Sequence, residues 1–241
     1  MSLFTVKSNG SPWVRLFSDF TGLFFPEYCL GCFSGLVKGE EILCTRCILD
    51  LPRTNYQFTD ENPIKEKFIG RLPIRYASAF LKFRKTGIVQ HLLHQLKYNH
   101  HPEVGKRLGI FFGKEMKDVG LDHEFDIIIP MPLYRSRQVK RGYNQSTLFA
   151  EGLMSSLGIP YNDEAVVRKI NTSTQTRKNK GERWENVKQA FRVTDPAVIS
   201  NKRILLADDI ITTGASIESC GQELFDHGCK ELSVVCLAEA Q

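Results

Sequence analysis

The chain has 241 residues, 42% of them apolar and 24% charged, enough for one large domain or two small ones around a buried core. No run approaches the roughly 18 consecutive apolar residues of a membrane span. The net charge of +5 is a mild excess that hints at anionic partners and argues against a strongly basic nucleic-acid binder.

Near the N-terminus, Ser11-Pro12 reads as a helix cap followed by proline at the first helical position. Trp13, Phe17, Phe20 and Phe24 then share one helical face, which predicts a short amphipathic helix within 1–25 that packs on the protein body. Arg15, Ser18 and Asp19 break the apolar run, so it is not an export signal, and the chain is expected to be cytoplasmic.

Four of the seven cysteines form two Cys-x2-Cys hairpins, Cys29/Cys32 and Cys44/Cys47, separated by eleven residues. Each hairpin can bring two thiolates to one metal, so together they predict a four-thiolate structural zinc ribbon over 26–60. Disulfides are disfavoured in a chain without an export signal. Cys220, Cys229 and Cys236 lack such spacing and read as small buried residues.

Residues 51–73 are polar and irregular and read as a connector. The alternation in 74–85 predicts a strand, taken as antiparallel. Helical stripes follow at 87–98 and about 103–117; His91 and His94 are spaced for a metal but lack a third ligand and read as ordinary helix residues. From Phe125 the chain alternates: the strand "FDIIIPMP", a polar loop, a helix closing on Gly158, a basic stretch at 168–183, the strand "RILLADDII", a helix, and the strand "LSVVCLA". Such alternation implies an α/β fold with a parallel sheet flanked by helices.

In "RILLADDIITTGAS" four apolar residues run into Asp208-Asp209, and Thr212, Thr213, Gly214 and Ser216 follow before a helix. Parallel sheets bind ligands at the carboxyl ends of their strands. A helix N-terminus offers unpaired N–H groups and a positive dipole end, and glycine admits close backbone approach. Together with the hydroxyls these make a cup for a phosphate monoester. The carboxylates would repel that phosphate but can accept hydrogen bonds from vicinal hydroxyls beside it, as in a ribose 5-phosphate. No Gly-Lys-Ser/Thr is present, which separates the segment from a Walker A loop.

"LLADDIITTGAS" resembles the phosphoribosyl-pyrophosphate (PRPP) signature of type I phosphoribosyltransferases. "IIIPMPLYRSRQVKRGYNQSTLFA", "RKINTSTQT", "ERWENVKQAF", "LLHQLKY" and the four-cysteine ribbon resemble, in order, the blocks of the ComF (competence protein F) family over about 26–241. The resemblance implies a type I phosphoribosyltransferase fold over 70–241, with an acceptor hood at 70–120 and a core at 121–241. Asp208 and Asp209 would bind the ribose hydroxyls directly or through Mg2+, and Thr212, Thr213, Gly214, Ala215 and Ser216 would hold the 5-phosphate. The loop after Pro132, with Arg135, Arg137, Lys140 and Arg141, would meet the pyrophosphate. Arg168 and Lys169 would begin a basic lid and join Asp208 and Asp209 in catalysis. The chain departs from the family pattern at Ile170, which stands at an arginine position, and mildly at Met131, Tyr143 and Ser216. The implied role is DNA uptake, with PRPP, single-stranded DNA, a competence helicase and DNA-processing proteins as partners. The alternatives are an active transferase on a base or amine in nucleotide metabolism, and a PRPP sensor without turnover. Tyr28, Phe33, Arg46 and Arg53 are the candidate single-strand contacts.

Overall fold

The computed structural model describes residues 27–56, 59, 61–169 and 190–240. The expected helix within 1–25 and residues 170–183 of the basic stretch lie outside them. The chain divides into two compact units, Met1–Asp50 and Leu51–Gln241.

In the first unit, Tyr28 and Gly35 form an antiparallel bridge, and a short helix, α1 (Thr45–Leu49), begins within the second cysteine pair and carries Cys47. Its N-cap is Cys44, whose sulfur accepts from the Cys47 amide.

In the second unit, the 51–73 connector carries a short helix, α2 (Pro63–Glu66), started by Asn62, whose Oδ1 accepts from the Ile64 and Lys65 amides. Then come β1 (Ile74–Phe83), α3 (Ile88–Tyr98), α4 (Glu103–Asp118), β2 (Ile127–Pro130), α5 (Arg135–Arg141) and α6 (Gln145–Leu157). After these follow β3 (Val166–Arg168), β4 (Phe191–Val193), α7 (Pro196–Ile199), β5 (Arg203–Ile211), α8 (Ala215–Asp226) and β6 (Glu231–Ala240). Helix α6 ends as expected, on Gly158 in the left-handed region. The stretch expected as a plain polar loop after β2 instead contains α5. Among the described residues no helix is long and apolar enough to cross a membrane.

Four strands form one parallel sheet in the order β1-β6-β5-β2, and β3 pairs antiparallel with β4. Strand β1, expected as antiparallel, runs parallel to β6, with Ala77 beside Val234 and Leu81 beside Ala238. Its antiparallel partner is only the short 52–54 segment on its outer edge, through the Arg53–Leu81 bridge. One sheet face carries the stacked rings of Phe80, Phe112 and Phe149, at 5.2 and 6.3 Å between neighbours. A second cluster joins Ala77, Ala79, Ile204, Leu206, Val234 and Cys236 to Ile217, Cys220 and Leu224 of α8. Cys220, Cys229 and Cys236 are buried, as expected.

Helices α4 and α6 meet at backbone contact. Gly105, Gly109 and Gly113 form a stripe along α4, and Gly109 faces Gly152 of α6. The chain leaves β2 into α6 and returns along β2's outer edge, where Ile128 bridges Tyr161 in parallel. It leaves β5 into α8 and returns as β6 on the other side. The carboxyl ends of the neighbouring strands β2 and β5 are therefore a topological switch point, where α/β sheets open a crevice for ligands.

Candidate functional site

Asp208 and Asp209 stand in the second half of β5, which continues through them to Ile211. Asp208 Oδ1 accepts from Ser146 Oγ at 3.1 Å and from the Asp209 amide at 2.8 Å. Asp209 Oδ2 pairs with Lys97 Nζ at 2.7 Å, and both side chains are 18% exposed. Burial, joined by the charge of Asp209, pushes the Asp208 carboxyl up to about 7; the Asp209 amide, Ser146 and Lys97 pull the other way.

Past Ile211, Thr212, Thr213 and Ser216 are exposed, and Gly214 is the N-cap of α8. Gly214 sits at φ 78°, and a Cβ there would stand 2.9 Å from Phe68 Cε1, so only glycine suits the position. Arg71 braces the loop: Nη1 donates to the Thr213 carbonyl at 3.1 Å, and the guanidinium pairs with Glu218 in the first turn of α8. That pairing offsets the one acid in the first turn, which leaves the positive end of the helix dipole available to an anion.

On the β2 side, the Met131 amide donates to the Ala207 carbonyl at 2.8 Å, and Asn144 Nδ2 donates to the Met131 carbonyl at 2.9 Å. Asn144 Oδ1 also accepts from the Ser146 amide, capping α6. Pro132 is buried, Arg135 and Lys140 are exposed on α5, and Arg137 is half-buried. Arg141 Nη1 donates to Gln145 Oε1 at 2.7 Å, and its guanidinium lies 5.8 Å from the centre of the Tyr98 ring. Tyr143 Oη donates to the Leu96 carbonyl at 2.7 Å. Arg168, at the end of β3, stacks over Phe191 at 5.2 Å. Burial and the charge of Arg137 lower its pKa, while the charge of Asp208 opposes the shift. Lys169 is exposed, with its amide on the Ala190 carbonyl.

Five contributors to this site were not singled out in the sequence: Lys97, Asn144, Ser146, Phe68 and Arg71. Lys97, Asn144 and Ser146 lie inside the family-like blocks, so they were within reach. Phe68 and Arg71 lie in the connector, where no local pattern marks them.

In the first unit the four sulfurs of Cys29, Cys32, Cys44 and Cys47 lie within 4.8 Å of one another. A tetrahedral ion bonded at ~2.3 Å needs sulfurs ~3.8 Å apart, and Cys32 Sγ and Cys44 Sγ stand at 3.7 Å. Cys29 Sγ accepts from the Gly31 and Cys44 amides at 3.4 and 3.3 Å. The hydroxyl and amide of Ser34 lower the Cys32 thiol to about 6, and burial pushes the Cys47 thiol up. Three of the four are buried, and the set is chemically suited to a tetrahedral soft-metal centre.

The phosphoribosyl transferase domain family matches residues 144–241. The DNA utilization protein YhgH of Shigella flexneri is 33% identical over 150 residues, 61% of this chain and 65% of that protein. Competence protein F of Haemophilus influenzae is 33% identical over 156 residues, 62% of this chain and 67% of that protein. Competence protein ComFC of Bacillus subtilis is 26% identical over 141 residues. The chain thus spans 65% of the length of the first of these relatives. Among solved structures, glutamine phosphoribosylpyrophosphate amidotransferase from B. subtilis is 21% identical with a TM-score of 0.41, covering 57% of this chain and 26% of that one. Adenine phosphoribosyltransferase from Leishmania tarentolae is 13% identical with a TM-score of 0.38, covering 79% and 94%.

The parallel sheet with its switch point, the acid pair and the family match define an α/β phosphoribosyltransferase-type domain. A four-cysteine cluster precedes it in the chain. The chain belongs to the ComF/YhgH family of competence and DNA utilization proteins.

Proposed function

We propose that the second unit binds PRPP with Mg2+ at the carboxyl ends of β2 and β5, and that the protein handles internalised single-stranded DNA. The observation that carries the PRPP reading is the acid pair: a carboxylate with a pKa near 7 is held against a second carboxylate at a switch point, just ahead of a helix N-terminus. Such an arrangement costs stability and is kept for binding. In this reading Asp208 and Asp209 accept from the ribose hydroxyls, and residues 212–216 hold the 5-phosphate. Arg135 and Arg141, on the helix that follows Pro132, face the pyrophosphate. Arg168 and Lys169 stabilise the leaving charge. Mg2+ suits a site of few carboxylates plus phosphate oxygens, and it would neutralise the pyrophosphate. Little covalent help is needed, because positioning and charge stabilisation lower the barrier of pentosyl transfer.

The test is calorimetry with PRPP, with and without Mg2+. Binding in Mg2+ is expected for the wild type and is expected to fall at least tenfold in Asp208→Asn/Asp209→Asn, since a charge-assisted hydrogen bond is worth about 1.5–3 kcal/mol. Equal affinity in the two proteins would refute the reading. Pyrophosphate release on adding a base or amine then separates a transferase from a sensor.

The DNA part rests on the first unit, with zinc as the metal held by the four cysteines. Tyr28 and Phe33 are 55% and 52% exposed, and the Arg46 side chain is 89% exposed. Phe33 is held at φ 62°, a left-handed conformation that a bulky residue rarely adopts. An exposed ring kept at that cost suits a stacking platform for a base. Arg53 is committed elsewhere: it pairs with Glu115 at 2.7 Å and lies over Phe80. Oligo-dT binding is expected to weaken with salt and to vanish when zinc is chelated. Phe33→Gly, which relieves the backbone, should leave stability intact and weaken oligo-dT about tenfold; unchanged affinity would remove Phe33 from the interface.

A further inference from the structure

The two carboxylates differ in one respect that the phosphoribosyl reading leaves unused: Asp209 already has a built-in cation. Lys97 Nζ reaches it at 2.7 Å from the last turn of α3, and neither side chain is more than 18% exposed. This is not a loose surface pair, which would hold two long side chains in water for little gain.

Lys97 is itself anchored. The carbonyl of its neighbour Leu96 accepts from Tyr143 Oη at 2.7 Å, and its other neighbour, Tyr98, lies under the Arg141 guanidinium. The chain from Arg141 through Tyr143 leads directly into Asn144 and Ser146, and Ser146 Oγ donates to Asp208. The contacts therefore close a ring that runs from α3 to Asp209, to Asp208, to the start of α6, and back to α3. Each carboxylate is turned by a donor on a different helix, which holds two like charges at a fixed separation.

We propose that Lys97 is a positioning residue that presents Asp209 as a ready-made acceptor for pentose hydroxyls, so that a ribose 5-phosphate binds this site without a divalent cation. The inference rests on the phosphoribosyl reading and deepens it. With an ammonium fixed beside it, Asp209 needs no metal to offset its charge, and its second oxygen remains an acceptor. An ammonium has three donor hydrogens on a flexible stem, so Lys97 can keep Asp209 and donate to a bound hydroxyl at once. The Mg2+ requirement then belongs to the pyrophosphate of PRPP and not to the pentose.

The experiment is calorimetry with ribose 5-phosphate as the probe, on zinc-loaded protein in buffer free of added Mg2+ and in Mg2+. The proteins are the full-length wild type, Lys97→Met, Lys97→Arg, Asp209→Asn and Lys97→Met/Asp209→Asn. Wild-type affinity is expected to differ less than about twofold without and with Mg2+. Lys97→Met should weaken binding about tenfold and Lys97→Arg should recover most of that loss. The double variant should bind no worse than Asp209→Asn, since the lysine acts through that acid. Ribose 5-phosphate binding that requires Mg2+, or that Lys97→Met leaves unchanged, overturns the proposal while PRPP binding still stands. Failure of the wild type to bind either ribose 5-phosphate or PRPP removes the phosphoribosyl reading and the proposal together.

Discussion

Replacing Gly152 by alanine is expected to destabilise the protein by about 3 kcal/mol, and replacing it by leucine to prevent folding. A Cβ at 152 would stand 2.7 Å from the Gly109 Cα and closer still to the Lys106 carbonyl oxygen. Both neighbours are backbone, so nothing can rotate away; helices α4 and α6 must separate. The sign is diagnostic. In an exposed helix, glycine to alanine stabilises by about 1 kcal/mol through propensity alone. Urea denaturation of Gly152→Ala checks it, and a variant as stable as the wild type would refute the close packing. The effect reaches the site. Helix α6 begins with the Asn144 cap and Ser146, which hold the Met131 carbonyl and Asp208. Moving α6 outward withdraws both.

Asp208→Asn is expected to make the protein more stable at pH 8, by up to about 4 kcal/mol, and to leave it unchanged near pH 4. The carboxyl's ordinary value of 3.8 rises to about 7 in the folded protein, mainly through burial. A folded-state value above the unfolded one means that the native state holds a proton the unfolded chain has lost. Stability contributed by Asp208 is therefore full below about pH 4, falls by about 1.4 kcal/mol per pH unit through the window, and is gone above about pH 7. Asparagine keeps an oxygen for Ser146 and the Asp209 amide but carries no charge to bury. Chemical denaturation of both proteins at pH 4.5, 6 and 8 reads the difference, and effects common to both, zinc loss at low pH included, cancel. An Asp208→Asn variant less stable than the wild type at pH 8 would show that the charge is supported, not strained. The same variant should lose PRPP affinity, so stability and binding would move in opposite directions at one residue.

Much of the site was legible because its signals are local. Four cysteines in two hairpins announce a single cluster, and their sulfurs do gather. An apolar run ending in two acids, then hydroxyls and a glycine, announces a strand and then a helix start. Helices α3 and α4 were legible from their helical patterns, and α6 from its Gly158 stop, where glycine tolerates positive φ. The direction of β1 was not legible, because period-two alternation reports which faces are covered and says nothing about which way the neighbouring strand runs. The two turns of α5 were hidden because a short basic helix, with an exposed Val139 and little apolar face to bury, looks like a loop.

Residue type and order alone therefore determined the alternating α/β plan, the four-cysteine cluster, and the acids and hydroxyls near the end of β5. These depend on neighbours within one or two turns of chain. Only the tertiary structure decided that Lys97 faces Asp209, that Ser146 faces Asp208, that Arg71 and Phe68 brace the loop before α8, and that Gly109 and Gly152 let two helices touch. Each of these joins residues dozens of positions apart. Such pairings depend on strand order, on the hand of the crossovers and on the distance between helix axes, all set by packing the whole unit at once.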